Sequence, residues 1–459
     1  MKKYILIILC CLTSFPLWSY NVNMIVEHYS VEQGLPNNTV NCTLKDRDGF
    51  IWFGTWYGLC CFDGVKFKTF NKQEHDSDVP PRKIQRIVED KNGYIWVKTI
   101  DRKLYVFNKV TECFHAVYDD MKNYSENIQV IKLQNTAEGD VLLLTKDKNL
   151  LLAGVDEKGQ VTIKILFDSR DEINKHDYTL KHHVLCETEE YISWIGTDYK
   201  VSAVHKGAEL ASRPADFITS KINSGDKDSF TSFFEDGRKV WVGDRAGIFY
   251  SIDVRTGLVN RYVLSEIKGA ISNLLVTPAG YVYLSVAGQG TYEYDLAERR
   301  LQKINTEMND AMVTHAFIDQ YDKIWFHENE KALIYYDPLN HTAKRFPFTM
   351  FGKITTLYSE DAGERGLFFL SPAGEAWLFD REHAEMVYIN KLKQLSNDRA
   401  NQQFYHLMLD NDGVLWLSSA DEGVYCMNFP KKQFNLLSLS PQSAGQENYT
   451  IGEIGRAHV

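Results

Sequence analysis

The stretch from Asp46 to Asp63, D-R-D-G-F-I-W-F-G-T-W-Y-G-L-C-C-F-D, decides the fold of this chain, because weaker copies of it recur almost to the C-terminus. Asp48-Gly49 predicts a tight turn, since Asp bonds the nearby backbone and Gly tolerates a positive φ. From Ile51 and Trp52 onward, alternate side chains face opposite sides, and both sides are apolar. Such a strand suits a sheet packed between two other sheets, and Gly58 turns the chain into the partner strand.

Eight further copies are recognised by the residue at the Trp52 position, at steps of 44, 46, 52, 47, 42, 42, 43 and 48 residues: Trp96, Leu142, Trp194, Trp241, Tyr283, Trp325, Phe368 and Trp416. A period of about 40 to 50 residues, built from short strands and Gly/Asp turns, is typical of a β-propeller with one four-stranded blade per repeat. The competing α-solenoid is disfavoured because the repeats lack amphipathic stretches with 3.6-residue periodicity. The sequence therefore predicts an all-β propeller.

Residues 1–20 have the features of a signal peptide. Lys2-Lys3 forms a basic start, the apolar run from Tyr4 to Leu12 is too short to span a bilayer, and Leu17-Trp18-Ser19 offers a small residue for cleavage. No second apolar stretch of about 18 residues follows in the sequence. We therefore expect export to the periplasm.

Charge and cysteine content exclude some functions. The net charge of -10 argues against a nucleic-acid partner, because no basic stripe is present to displace counterions from phosphates. Six cysteines follow the signal segment, without a C-x-x-C pair or a suitably spaced His, so neither a zinc site nor another metal or cofactor is expected. Cys42 could be bridged to Cys60 or Cys61, but burial as free thiols is favoured because such small side chains pack well in strands.

The repeated D-x-x-G-x-[IL]-W-[FVL]-[GS]-T followed by G-L-x-x-[FY]-D resembles the two-component-regulator propeller repeat, and Gly34 to Asn38 resembles the phrase that opens its first copy. The resemblance covers residues 24 to about 452. It is weakest in the third unit, where Leu142 replaces Trp and the closing Tyr-Asp strand is lost.

The resemblance implies the periplasmic sensor region of a hybrid two-component histidine kinase, with two seven-bladed propellers before the membrane and kinase segments. It also implies a homodimeric parent, attached to the membrane only through a segment C-terminal to this chain. On this basis we expect a seven-bladed ring over residues 21–347 and the first two to three blades of a second ring over residues 348–452. Residues 453–459, E-I-G-R-A-H-V, resemble a translated adapter oligonucleotide, so a truncated fragment is expected.

The distribution of acidic residues favours binding over catalysis. Many acidic residues occupy the turn position of a repeat, where local hydrogen bonding is the simpler role: Asp46, Asp90, Asp236, Asp319 and Asp410. His182-His183 is an adjacent pair whose side chains face opposite ways on a strand. No catalytic or metal-ligating residue is therefore assigned.

The loops after the Gly-Thr position are predicted to share one face of the ring, and they carry the candidate ligand-binding residues Trp56, Tyr57, Arg102, Tyr199, Lys200 and Arg245. An exposed aromatic plane flanked by charged groups suits a sugar ring, whose apolar face stacks while polar groups take the hydroxyls or a uronate. The alternative is that Trp56 packs on its neighbouring blade.

Three functions remain open at this stage. The first is a sensor that binds an oligosaccharide and signals to a histidine kinase. The second is a propeller-fold polysaccharide lyase or glycosidase, and the third is a non-catalytic adhesin or scaffold.

Overall fold

The structure is a computed structural model that describes residues 25–70, 80–121, 129–146, 149–167, 180–188, 190–196, 201–207, 217–219, 230–304, 313–328, 331–351, 358–361, 366–371, 374–391 and 404–428. The predicted signal peptide and the predicted adapter-derived tail lie outside these residues. Within them, the helices are all too short or too polar to cross a membrane.

The described residues form nine antiparallel sheets of four strands each, which confirms the predicted all-β propeller. The first five sheets contain β2 (Val40–Lys45), β3 (Ile51–Thr55), β4 (Gly58–Phe62) and β5 (Phe67–Phe70); β6 (Ile84–Glu89), β7 (Ile95–Thr99), β8 (Leu104–Asn108) and β9 (Cys113–Ala116); β10 (Val130–Asn135), β11 (Val141–Thr145), β12 (Leu150–Val155) and β13 (Val161–Phe167); β14 (Leu180–Glu187), β15 (Tyr191–Gly196), β16 (Val201–His205) and β17 (Phe217–Thr219); β18 (Phe230–Glu235), β19 (Lys239–Asp244), β20 (Ile248–Asp253) and β21 (Val259–Val263).

The other four sheets contain β22 (Ile271–Val276), β23 (Tyr281–Val286), β24 (Gly290–Asp295) and β25 (Arg300–Lys303); β26 (Val313–Ile318), β27 (Ile324–Glu328), β28 (Ala332–Asp337) and β29 (Thr342–Pro347); β30 (Tyr358–Asp361), β31 (Leu367–Leu370), β32 (Glu375–Asp380) and β33 (Glu385–Lys391); and β34 (Phe404–Leu409), β35 (Leu415–Ser419) and β36 (Val424–Asn428) with the N-terminal β1 (Ile25–Tyr29). Short helices are α1 (Tyr118–Met121) and the 3-10 turns Val31–Gln33 and Phe348–Phe351.

The first strands of the sheets lie innermost, because neighbouring sheets approach each other mainly along them. The second strands carry the core. Trp52 and Phe53 point to opposite faces of sheet one, as predicted: Trp52 packs on Phe107 of sheet two at 5.5 Å between ring centroids, and Phe53 packs on Trp416 of sheet nine at 5.9 Å. A Cβ at Gly54 would lie 2.5 Å from atoms of Cys42 and Ile84, so the sheets meet too closely there for a side chain.

The packing of the described residues differs from the predicted division into a seven-bladed ring over residues 21–347 and a partial second ring over residues 348–452. Sheet seven packs on sheet eight through Trp325 and Phe369, and it continues the ring at residue 347 instead of closing it. Sheet nine packs on sheet one, and β1 pairs with β36 from Ile25↔Asn428 to Tyr29↔Val424. An open partial ring would leave these apolar faces in water, whereas this closure after nine sheets buries them.

The third unit and the cysteines can also be compared with the expectations from the sequence. The third unit is complete, because Leu150–Val155 and Val161–Phe167 supply its third and fourth strands without the Tyr-Asp pattern. The described cysteines are free, as favoured: Cys42, Cys60, Cys61, Cys113 and Cys426.

Candidate functional site

Because successive strands of each sheet run antiparallel, the turns fall alternately on two opposite faces of the ring. We call the side with the turns between first and second strands the Asp face. The opposite side, with the turns between second and third strands and the sheet-to-sheet connections, is called the loop face. Repeat residues of one type therefore gather on one face, whichever sheet they come from.

On the Asp face, the turn aspartates bind the core tryptophans. Asp46 Oδ1 accepts hydrogen bonds from the backbone N–H groups of Asp48 and Phe50 at 3.0 and 2.9 Å, and its Oδ2 accepts one from Trp52 Nε1 at 2.8 Å. The indole bond recurs in four other sheets at 2.7 to 3.2 Å: Trp96 to Asp90, Trp241 to Asp236, Trp325 to Asp319 and Trp416 to Asp410. Local hydrogen bonding by these acids was predicted, and the indole bond gives them an additional structural role.

In sheet six, other residues stand at the two positions of the Asp–Trp pair. Thr277 stands at the Asp position and Tyr283 at the Trp position, and the Tyr283 hydroxyl donates instead to Glu293 Oε2 at 2.9 Å. The Tyr336 hydroxyl of sheet seven lies 3.4 Å from the same carboxylate oxygen. Burial, and then the charge of Glu293, raise the pKa of Tyr283, so the phenol stays protonated as the donor.

Cations pair with several carboxylates of the Asp face. Lys109 Nζ lies 3.1 Å from Asp46, 2.7 Å from Asp48 and 2.8 Å from Glu89. These three carboxylates lie close enough together to suit a metal ion, but the Lys109 ammonium already supplies the positive charge there. Burial works to lower the pKa of Lys109, and its hydrogen bonds to the three carboxylates outweigh that effect and raise it.

The same arrangement recurs between other sheets. The guanidinium of Arg381 in sheet eight forms ion pairs with the carboxylates of Asp319 at 2.7 Å and Asp361 at 2.6 Å. Lys206 of sheet four lies 2.8 Å from Glu138 of sheet three. Each cation follows a third strand and reaches the turn of the preceding sheet, so these pairs tie neighbouring sheets together.

On the loop face, Trp56 and Tyr57 form the turn between β3 and β4. Their exposed fractions are 40% and 61%, which is high for aromatic side chains. The backbone N–H of Trp56 donates to Thr39 at 3.2 Å, and its carbonyl accepts from Lys83 of sheet two at 2.9 Å. Lys83 Nζ lies 5.3 Å from the Trp56 ring centroid. Trp56 thus contacts the neighbouring sheet, as the alternative prediction held, and yet remains accessible to a ligand.

Arg102 lies in the corresponding turn of sheet two and is exposed. Its N–H donates to Thr99 at 2.9 Å, and its carbonyl accepts from Val130 of sheet three at 3.0 Å. The structure therefore places three predicted residues, Trp56, Tyr57 and Arg102, on adjacent sheets of one face.

The other predicted residues do not join this group. Arg245 is exposed in the equivalent turn of sheet five, three sheets from Arg102. Tyr199 and Lys200 lie outside the described residues, so the structure does not place them.

Sequence reasoning missed the basic residues beside Arg102. Arg86 and Lys98 are register partners on β6 and β7, and Lys98 Nζ hydrogen-bonds Gln85 Oε1. Arg86 is exposed on an innermost strand, so it faces the axis of the ring. The signal is the run R-K-I-Q-R at residues 82–86, which lies outside the loops that follow the Gly-Thr positions.

A β-bulge near the start of the inner strand β6 sets the register that places Arg86 opposite Lys98. In sheets one, two, three, five, six, seven and nine the register shifts by one residue near the start of the first strand, a β-bulge. At bulge residues Asn41 and Thr231, the side chain donates to the first carbonyl of the next inner strand, at 2.5 and 2.7 Å. The bulges therefore direct these polar side chains from one inner strand to the next.

Sequence comparison adds two matches to this geometry. The family model of the two component regulator propeller matches residues 34–57, from the opening Gly34 to Tyr57. The chain carries a two-component regulator propeller repeat. An alignment 87 residues long, which covers 17% of this chain, shows 32% identity to Histidine kinase P4 of Formosa agariphila and spans 6% of that protein.

Solved structures with a similar arrangement include extracellular domains of two putative hybrid two component systems of B. thetaiotaomicron. They are 14% and 17% identical, with TM-scores of 0.37 and 0.33; 87% and 86% of this chain and 66% and 52% of those chains are covered. The Dos1 propeller is 12% identical, with a TM-score of 0.45 and coverage of 88% and 93%. This chain spans less than two thirds of the two extracellular domains.

Proposed function

We propose that this chain is the extracytoplasmic ligand-sensing propeller of a hybrid two-component signalling protein, that it binds an oligosaccharide, and that it signals to a histidine kinase in another part of the parent protein. The repeat at residues 34–57 and the match to a histidine kinase support the signalling role. The basic and apolar N-terminal segment supports an extracytoplasmic location.

The observation that carries the oligosaccharide proposal is the accessible Trp56-Tyr57 pair on the loop face. Backbone hydrogen bonds of the Trp56 N–H and carbonyl hold this turn in place before a ligand arrives, which lowers the entropy cost of binding. A pyranose presents an apolar face to such a ring and hydroxyls to the polar groups around it.

Binding without bond cleavage is the proposed activity. The turn carboxylates Asp46, Asp90, Asp236, Asp319 and Asp410 are each held by an indole N–H on the Asp face. They are therefore directed into the core, away from the aromatic pair. A signal additionally requires that the ligand bind one arrangement of the parent protein more tightly than another.

The test is titration of the purified chain with oligosaccharides of defined length, followed by tryptophan fluorescence and calorimetry, with product analysis in parallel. We expect saturable binding without depolymerisation, and a loss of at least tenfold in affinity for Trp56→Ala. Tyr388→Ala, at an exposed aromatic of sheet eight, serves as the matched control. Depolymerisation would show a lyase or glycosidase instead, and no binding of any saccharide would favour an adhesin or scaffold.

A further inference from the structure

Two cationic side chains lie opposite each other in sheet two. Arg86 and Lys98 are register partners on adjacent strands, immediately after the bulge. Lys98 is only 5% exposed. Like charges directly opposite each other destabilise a sheet, and burial of an ammonium adds to that cost.

The other described sheets with this bulge do not place two lysine or arginine side chains opposite each other. Their register partners at this position are Cys42 and Gly54, Lys132 and Leu144, Ser232 and Gly243, Asn273 and Ser285, His315 and His327, and His406 and Ser418. The fold therefore accepts pairs with at most one lysine or arginine here, and sheet two departs from them at a cost in stability.

Three more cations surround this pair on the loop face. Arg82 and Lys83 precede β6, and Arg102 follows β7. Lys83 and Arg102 adopt φ values of 50° and 66°, a left-handed conformation that is uncommon for residues other than glycine. Burial lowers the pKa of Lys98, and the positive charge of Arg102 lowers it further, because the two cations repel each other. Strain and repulsion at one place are typical of functional sites.

Carboxylates do not neutralise this group within the described part of the chain. Ion pairs to Arg82, Arg86 or Arg102 are absent there, and Asp101 is engaged by Thr99 and, at 3.3 Å, by Lys103. Yet the chain has ten more acidic than basic side chains. An uncompensated cationic group in an acidic protein attracts and concentrates anions.

We propose that the loop face of sheets one and two binds an anionic saccharide, with a pyranose ring stacked at Trp56 and its carboxylate or sulfate ester held by Lys83 and Arg102. This inference rests on the proposed oligosaccharide sensing and assigns the charge of the ligand. Lys83 Nζ, now above the Trp56 ring, turns aside toward the acid group as the sugar stacks. Arg86 supplies a second positive charge toward the axis for a further acidic residue of the chain.

The experiment compares three probes on the purified chain by calorimetry: tetragalacturonate, an O-sulfated neutral tetrasaccharide and uncharged cellotetraose. We expect at least one acidic probe to bind at least tenfold more tightly than cellotetraose, and to weaken as salt is raised from 50 to 500 mM. Lys83→Met and Arg102→Gln should each weaken that probe about tenfold or more. Lys303→Met, which removes a cation 6.0 Å from the Tyr292 ring in sheet six, should leave the affinity unchanged.

The outcomes separate the two proposals. Carboxylate and sulfate recognition are distinguished by which acidic probe binds. Tight binding of cellotetraose without preference for an acidic probe overturns this inference and leaves oligosaccharide sensing in place. Acidic binding that survives both substitutions overturns the assigned site. Failure of all three probes overturns this inference, and failure of the wider oligosaccharide panel is what counts against the proposed function.

Discussion

The Asp face of the ring and the loop face of sheet two use the same cationic residue types in opposite ways. On the Asp face, Lys109 and Arg381 each bridge carboxylates of neighbouring sheets. On the loop face of sheet two, Arg86 and Arg102 have no such partner among the described residues, and Lys98 faces another cation. The difference shows that the Asp-face cations hold sheets together, while the cations on the loop face of sheet two are maintained at a cost that folding alone does not explain.

The largest expected effect comes from removing a paired cation. Lys109→Met would leave Asp46, Asp48 and Glu89 close together, with Arg47 Nε, 3.2 Å from Glu89 Oε1, to offset part of their charge. Breaking a buried ion pair in this way typically costs about 3 to 5 kcal/mol. Urea denaturation at pH 7 should show a loss near the lower end of that range.

Lys68→Met is the matched control for this prediction. Its pair with Glu112 is largely exposed, and such pairs contribute about 0 to 1 kcal/mol. Equal losses for Lys68→Met and Lys109→Met would contradict a special role for the Asp-face pairs.

A second prediction concerns His406, which lies on the inner strand of sheet nine. Burial, and then the positive charge of Arg86, lower the pKa of His406 to about 4. Because this lies below the unfolded value of about 6.5, protonation opposes folding, and stability from this group falls by about 3 kcal/mol as the pH drops from 7 to 4. Urea denaturation of His406→Leu across this range should show a correspondingly shallower loss.

Arg86→Met tests the source of that effect. Removing the cation should raise the pKa of His406, measured by NMR titration of its ring protons, because protonation then meets less repulsion. A pKa that is unchanged in Arg86→Met would show that the guanidinium does not reach the inner strand of sheet nine.

The smallest expected effect has the opposite sign from the first. Lys98→Met removes a buried cation opposite Arg86 while keeping the volume of the side chain, and should stabilise the chain by up to about 1 kcal/mol. Since the pKa of Lys98 is lowered in the folded protein, its cost is fully present at neutral pH and is relieved as the pH rises toward about 10.4. The gain should therefore shrink in alkaline buffer, and a loss of stability at pH 7 would contradict the comparison of the two faces.

The sequence by itself determined the repeat and its sheets. The alternation around Trp52, the turn at Asp48-Gly49 and the steps between copies predicted four-stranded units with apolar faces, because these patterns depend on neighbours only a few residues away. The position of Trp56 and Tyr57 on an accessible turn followed from the same local pattern. Free thiols at Cys42, Cys60 and Cys61 were also favoured from their place on strands.

Only the tertiary structure decided how the ring closes and where charges meet. Pairing of Ile25–Tyr29 with Val424–Asn428 joins segments about 400 residues apart, and no local pattern specifies such a partner. The same reason hid the indole bonds of the turn aspartates and the register of Arg86 with Lys98. Turns and strands are set by short-range preferences, whereas closure and charge neutralisation depend on which distant surfaces are brought into contact.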